Sequence, residues 1–463
     1  MEKTLRLPRN HADGGSNNGK KILFANVPAD GHFNPLTGLA VHLQSIGYDV
    51  RWYSSSIYEE RIGKLNIPYY PFKKALEVTT DNLEQVFPER AKHKSQLGKL
   101  RFDMINFFIL RSTEYYADIA EIHLSFPFDL LIADVAFSAI PFVKEILSIP
   151  VISIGVLPLG ETSRDLGPAG LGMTPSNTWL GRLRQSILRF ITDRILLGKP
   201  NKVMRNLLKE HGIETGTSNV FDILVHKSTL LLQSGTPSFE YTRSDLGENI
   251  RFIGALLPHS NQKKRATWFN EKLTKYNKVV LVTQGTLEKD PEKILVPTLE
   301  ALKDSDCLVI ATTGGSKTGE LRRRFSNENI IVEDFIPFTD IMPYTDVYVT
   351  NGGYGGVMLA IENQVPLVVA GVHEGKNEIN ARVGYFNLGI NLGTERPKPQ
   401  EIKSSVERVL SNELYSSNVK QLSKEFRKYN PQKLCADYVA NILGMKLDKD
   451  ESSANYPERL SVY

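Results

Sequence analysis

The sequence predicts an α/β protein made of two doubly wound parallel sheets facing each other across a cleft. Three observations predict it. Near-continuous apolar runs of strand length alternate with segments of helical periodicity, as strands covered on both faces require. The alternation comes in two series, separated by the polar, cationic stretch PHSNQKKRATWFNEKL at 258–273. The 463 residues also leave room for two such units.

The first strand is KILFANVP (21–28), followed by the loop ADGHFNP. A helix then carries Leu36, Leu39, Ala40 and Leu43 on one face and stops at Gly47. DVRWYSS closes a strand–helix–strand unit, and the same signature returns at DLLIADVAF (129–137), PVISIGV (150–156) and TLLLQS (229–234). Two excursions interrupt the series. Residues 69–99 are irregular and lead into helical segments over 102–120; residues 157–217 include the glycine-rich LGPAGLGMTP. Such excursions on an α/β frame build binding walls or lids. Beyond the polar stretch the strands KVVLVTQG, CLVIATTGG, NIIVEDF, DVYVTNGG and PLVVAGV follow. The chain divides into a flexible tail (1–20), a first domain (21–257), a linker (258–277), a second domain (278–430) and a final helix and tail (431–463) returning toward the first domain.

Composition narrows the function. Lys and Arg number 56 against 52 acidic residues, a formal charge of +4 that is too mild for a dedicated nucleic-acid binder. Cys307 and Cys435 are too few for a disulfide framework or a cysteine-rich zinc site and suit a reducing compartment. The first twenty residues contain no apolar run, and the densest apolar patch, NFFIL at 106–110, is far too short to span a bilayer. A cytoplasmic protein without an integral membrane span is expected.

Two segments carry chemistry. DVYVTNGGYGGVMLAIENQVP places four glycines between a strand and a helix starting near Val357. Unobstructed backbone amides and a helix N-terminus there suit a pyrophosphate without a metal, although such a turn also serves tight packing alone. The spacing matches neither the dinucleotide fingerprint nor a P-loop. In the first half, His32 follows the first strand and Asp134 ends the strand DLLIAD. Two strand ends of one sheet can bring the carboxylate against the imidazole as a base dyad; a lone loop histidine and a helix-capping aspartate are the alternatives.

These pieces resemble the nucleotide-sugar-dependent glycosyltransferases of family 1, the UDP-glycosyltransferases and macrolide-type bacterial enzymes of GT-B fold, over about 21–444. The first anchor is Gly31-His32-Phe33-Asn34-Pro35, in the family's G-H-x-x-P. The second runs from Phe335-Ile336-Pro337 through TNGGYGGVMLAIENQVPLVVAG to HEGKNEINAR. The resemblance implies inverting transfer of a hexose from a UDP-sugar, or a dTDP-sugar, to a hydroxyl of a small, largely apolar acceptor. The nucleotide sugar is then a co-substrate, and neither cofactor nor metal is needed. It implies His32 as general base with Asp134 as partner. It also places Gly285 and Thr286 beside the phosphates and sugar, Phe335 stacked on the base and the Ile336 backbone hydrogen-bonded to it. Asn351, Gly352, Gly353, Gly355 and Gly356 would hold the diphosphate, and Glu374, Gly375, Lys376 and Asn377 would lie near the sugar hydroxyls. Phe102, Phe107 and Phe108, with the loops of 157–173, would line the acceptor pocket. Three departures stand out: Asn351 replaces a common His, Gly356 a Ser or Thr, and Leu359 a ribose-binding Glu, with Glu362 one turn further on. Rival readings are a nucleotide-sugar epimerase, a dinucleotide oxidoreductase, which would need the G-x-G-x-x-G turn that ANVPADGHFNP lacks, and a non-catalytic nucleotide-sugar-binding protein.

Overall fold

A computed structural model describes residues 19–79, 82–259, 267–285, 288–373 and 375–445. Most of the expected first tail, residues 260–266 of the expected linker and the end of the chain from 446 lie outside them.

The first sheet comprises β1 (Lys21–Ala25), β2 (Asp49–Ser54), β3 (Tyr69–Pro71), β4 (Leu130–Asp134), β5 (Val151–Gly155), β6 (Leu230–Ser234) and β7 (Ile250–Gly254). Its order is β3-β2-β1-β4-β5-β6-β7, with every pairing parallel. The second comprises β8 (Val279–Thr283), β9 (Leu308–Thr312), β10 (Ile330–Glu333), β11 (Val347–Thr350), β12 (Leu367–Val369) and β13 (Gly389–Asn391). It runs β10-β9-β8-β11-β12-β13, again all parallel. Each sheet buries both faces. In β1, Ile22 and Phe24 point into one core and Leu23 and Ala25 into the other. In the second sheet Leu281 and Ile310 face one core, Val280 and Val309 the opposite one.

Five helices frame the cleft and the surfaces around it: α1 (Asp30–Ser45), α2 (Trp179–Ile191), α3 (Tyr354–Glu362), α4 (Lys376–Tyr385) and α5 (Pro431–Ile442). α1 corrects one expectation. It begins at Asp30, so GHFNP forms its first turns instead of a loop, with Pro35 inside the helix. The residue before a proline ordinarily avoids helical geometry. Here packing overrides that bias: Phe33 stacks on Tyr58 at 4.3 Å and tilts against Trp52 at 4.9 Å. The helix ends as its sequence suggests, with Gly47 at φ +100° and its N–H bonded to the Gln44 carbonyl. α5 crosses back and adds Cys435 and Val439 to the core of the first domain.

The two domains are joined by buried polar and aromatic contacts. Tyr354 Oη at the start of α3 donates to the Ser234 carbonyl at the end of β6, 2.8 Å away. Phe239, from the first domain's sequence, sits in a core of the second beside Phe386. Arg382 on α4 is 2% exposed. Its Nε and Nη2 donate to Glu240 Oε1 and its Nη1 donates to Glu378 Oε2 at 2.9 Å, with the guanidinium 4.2 Å from the Tyr241 ring centre. Glu378 Oε1 accepts the N–H groups of Gly170 and Gly172 at 2.8 Å each, which ties the glycine-rich excursion of the first domain to α4.

Removing the cation takes the closest charge partner from two largely buried carboxylates, with Glu240 keeping only Arg243 at 3.5 Å. Arg382→Ala is therefore expected to cost about 3–5 kcal/mol, read as a lowered midpoint in denaturant unfolding, and an unchanged midpoint would contradict the role given to this pair.

Candidate active site

In a doubly wound sheet ligands bind beyond the carboxyl ends of the strands, where the strand order reverses. That point lies between β1 and β4 in the first sheet and between β8 and β11 in the second. All four of these strand ends carry residues that the sequence singles out.

At the first switch point Ala25 pairs with Ala133, so the loop after β1 passes directly over the end of β4. Asn26 shapes that loop. Its Oδ1 accepts from Trp52 Nε1 at 2.8 Å and Ser54 Oγ at 3.0 Å, while its Nδ2 donates to the Val27 carbonyl. The Val27 N–H is thereby aimed at Asp134 Oδ2, 2.8 Å away. Asp134 is fully buried; its Oδ1 accepts the Ala136 N–H at 2.8 Å and meets His32 Nδ1 at 2.7 Å. A carboxylate that already takes two backbone donors can only accept, so the network assigns the proton to His32 Nδ1. His32 Nε2 is left with its lone pair, on a side chain 16% exposed. The structure thus brings the two residues together as the sequence suggested, with His32 on a helix instead of a loop.

At the second switch point Asn351 follows β11 and is buried. Its Nδ2 donates to the Gln284 carbonyl beyond β8, and its Oδ1 accepts the Gly353 N–H at 3.3 Å. The side chain that replaces the family's common histidine thus cross-links two strand ends. Gly352 has φ +83°, and a Cβ there would lie 1.7 Å from the Oδ1 of fully buried Asn380. Asn380 Nδ2 donates to the Gly371 carbonyl at 2.9 Å. α3 starts at Tyr354, three residues before its expected start, because Gly355 and Gly356 adopt helical geometry in its first turn. No side chain caps it, and the Cβ position of Gly355 is open. The result is a helix N-terminus with unobstructed amides, which favours an anion. A Cβ at Gly356 would lie 3.3 Å from Tyr348 Oη, itself 2.7 Å from Thr283 Oγ1. A Ser or Thr at that position would press on Tyr348.

Other expected residues fall as follows. Gly285, at φ +79°, lies beside Asn351; Thr286 and Glu374 lie outside the described residues. Phe335 is 67% exposed, with its ring alongside Gly315, whereas Ile336 is buried in the core. Gly375 caps α4 at φ +78°, and the Lys376 N–H bonds to the His373 carbonyl. Asn377 Nδ2 donates across the cleft to the Gly170 carbonyl. Leu359 packs on the core, and the Glu362 carbonyl accepts from Ser423 Oγ, placing Glu362 against the helix Glu413–Phe426. The three phenylalanines are not brought together as one wall. Phe102 packs on Phe87 and His93, Phe108 packs on the core around Phe142 and Met204, and Phe107 is half-buried. The sequence reading gave no positioning role to Glu378, Asn380 and Arg382, although all three lie within the second anchor, and it missed Glu240, which belongs to no motif.

Two facing doubly wound domains, with a His–Asp pair at one switch point and a glycine-rich turn into an uncapped helix at the other, have the architecture of GT-B glycosyltransferases. Comparison with known proteins agrees. Residues 297–440 match the family model for the C-terminal domain of erythromycin biosynthesis protein CIII-like proteins. The chain is 33% identical to 4'-demethylrebeccamycin synthase of Lentzea aerocolonigenes, over 88% of this chain and 96% of that protein. It is 30% identical to UDP-glucosyltransferase 1 of Beauveria bassiana, over 88% and 92% of the two chains. The solved glycosyltransferase of kitacinnamycin superposes with TM-score 0.71 at 17% identity, covering 92% of this chain and 99% of the other. The chain belongs to family 1 of the nucleotide-sugar-dependent glycosyltransferases. It is a sugar-transferring enzyme, and the epimerase and binding-protein readings find no support among its relatives. Among the described residues no helix is long and apolar enough to cross a membrane.

Gly352→Ala combines a left-handed backbone with a direct clash on Asn380. It is expected to destabilise the loop by about 1–3 kcal/mol and to weaken nucleoside diphosphate binding by roughly tenfold or more in titration calorimetry, with His32 chemistry untouched. Undiminished affinity would separate this loop from the phosphates.

Proposed function

We propose that the enzyme transfers a hexose from a nucleoside diphosphate sugar to a hydroxyl of a small, largely apolar acceptor, with inversion at the anomeric carbon. The observation carrying this reading is the His32–Asp134 pair on one switch point, opposed by the open N-terminus of α3 on the other. His32 Nε2 takes the acceptor proton as the oxygen attacks the anomeric carbon, and the nucleoside diphosphate leaves from the opposite face. Asp134 holds the Nδ1 proton and stabilises the imidazolium formed. The amides of Tyr354, Gly355 and Gly356 meet the charge that grows on the departing diphosphate. Holding both reactants in line supplies much of the remaining acceleration.

The donor base stacks on Phe335. Leu359 offers no carboxylate to the ribose, so a UDP-sugar and a dTDP-sugar both fit. The acceptor is placed on the first-domain side, beside the excursion that Glu378 ties down. Among relatives, one carries a name for rebeccamycin assembly and others for UDP-dependent glucosyl transfer, which supports a natural-product acceptor.

His32→Ala is expected to lower turnover by roughly 10²–10⁴-fold while nucleoside diphosphate affinity holds. Asp134→Asn is expected to lose less, since the base survives. Turnover of a hydroxyl acceptor that is indifferent to His32→Ala would end the assignment. The amide cradle is proposed to act without a divalent ion, so excess chelator should leave activity intact; loss of activity restored by Mg²⁺ or Mn²⁺ would place a metal in the reaction.

A further inference from the structure

Helices on the surface of a globular protein bury their apolar side. α2 does the reverse. Its buried residue is Gln185, whose Nε2 donates to the Thr174 carbonyl at 3.0 Å. Trp179, Leu183, Ile187, Phe190 and Ile191 face outward with Ile195 of the next turn, Trp179 being 73% and Phe190 65% exposed. These positions recur at three- and four-residue spacing and form one continuous apolar stripe, and contiguous exposed apolar surface of this kind marks an interaction site. Residues 179–196 hold four arginines, Arg182, Arg184, Arg189 and Arg194, against one acid, Asp193. Arg182, Arg184 and Arg194 are exposed along the stripe.

We propose that α2 docks the enzyme on an anionic lipid bilayer, lying in the plane of the interface with its apolar stripe among the acyl chains and its arginines among the headgroups. An outward apolar face with Trp at one end and a cationic flank is what an interfacial helix needs. Charge decides between this partner and a second copy. A symmetric dimer through α2 would set two arginine-rich stripes against each other, whereas an anionic surface neutralises them. The helix lies within the 157–217 excursion, directly after its glycine-rich part, so a docked enzyme would hold its acceptor-side loops at the lipid surface.

The test uses the full chain with vesicles of phosphatidylcholine alone and of phosphatidylcholine mixed with phosphatidylglycerol. Co-sedimentation with the mixed vesicles is expected, with a blue shift of Trp179 emission, isolated by subtracting the spectrum of Trp179→Phe. The exposed pair Ile187→Ser/Phe190→Ser should lower partitioning by at least about tenfold while transfer to a water-soluble acceptor is unchanged. Arg182→Gln/Arg184→Gln should remove the preference for the anionic vesicles and its salt sensitivity. Absence of sedimentation with either vesicle overturns the proposal. So does a concentration-dependent dimer that the serine pair dissolves, or Trp179 already shielded from acrylamide before vesicles are added.

Discussion

Arg382 lies between carboxylates that come from both domains, and a guanidinium in that position cannot be left without partners. Burial alone would favour its neutral form, but the Glu240 carboxylate beside it more than reverses this and holds the charge in place. Glu240 is itself fixed by accepting the Leu159 N–H at 3.1 Å, and Arg243 anchors the same region through the Leu159 and Glu161 carbonyls. This cluster gives the two sheets one relative position, with their switch points opposed. Every contact attributed to the site, from the base on α1 to the amides on α3, presupposes that position.

The division of work between the domains follows from what each strand end offers. The first sheet ends in a buried carboxylate and an imidazole, groups that move a proton. The second ends in glycines and backbone N–H groups, which hold charge without moving one. The family departures fit this division. Asn351 gives up the contacts expected of a histidine in order to cross-link β8 and β11. Gly356 yields its side-chain volume to Tyr348. The proposed cradle therefore relies on main-chain donors, which do not titrate.

Local patterns revealed most of the frame. Fully buried parallel strands such as LLIAD and VVLVT declare themselves as unbroken apolar runs, and both anchors lie at strand ends, where ligands of this architecture bind. Three kinds of information were not local. The start of α1 depends on Phe33 packing against Tyr58 and Trp52, which outweighs the signal of Pro35. The π-helical turn Met104–Ile109 breaks the ordinary helical register, so spacing alone could not say which of Phe102, Phe107 and Phe108 share a face. Glu240 and Arg382 are 142 positions apart, and nothing near either of them announces the other. Periodicity likewise reveals that α2 is two-faced but not which face turns outward.

The hold that Glu378 exerts on the glycine-rich excursion has a consequence for how this scaffold diversifies. The carboxylate grips the backbone N–H groups of Gly170 and Gly172, and no side chain of that loop takes part. Gly172 is constrained, because a Cβ there would sit 2.8 Å from the Asn377 carbonyl oxygen. Ala169 and Leu171 carry no such restriction from the clamp. Substitutions at these two positions can change the shape and polarity that an incoming molecule meets while the loop stays moored to the donor half. On the proposed placement of the acceptor, selectivity can thus drift by point mutation without a matching change in the residues proposed to bind the sugar nucleotide.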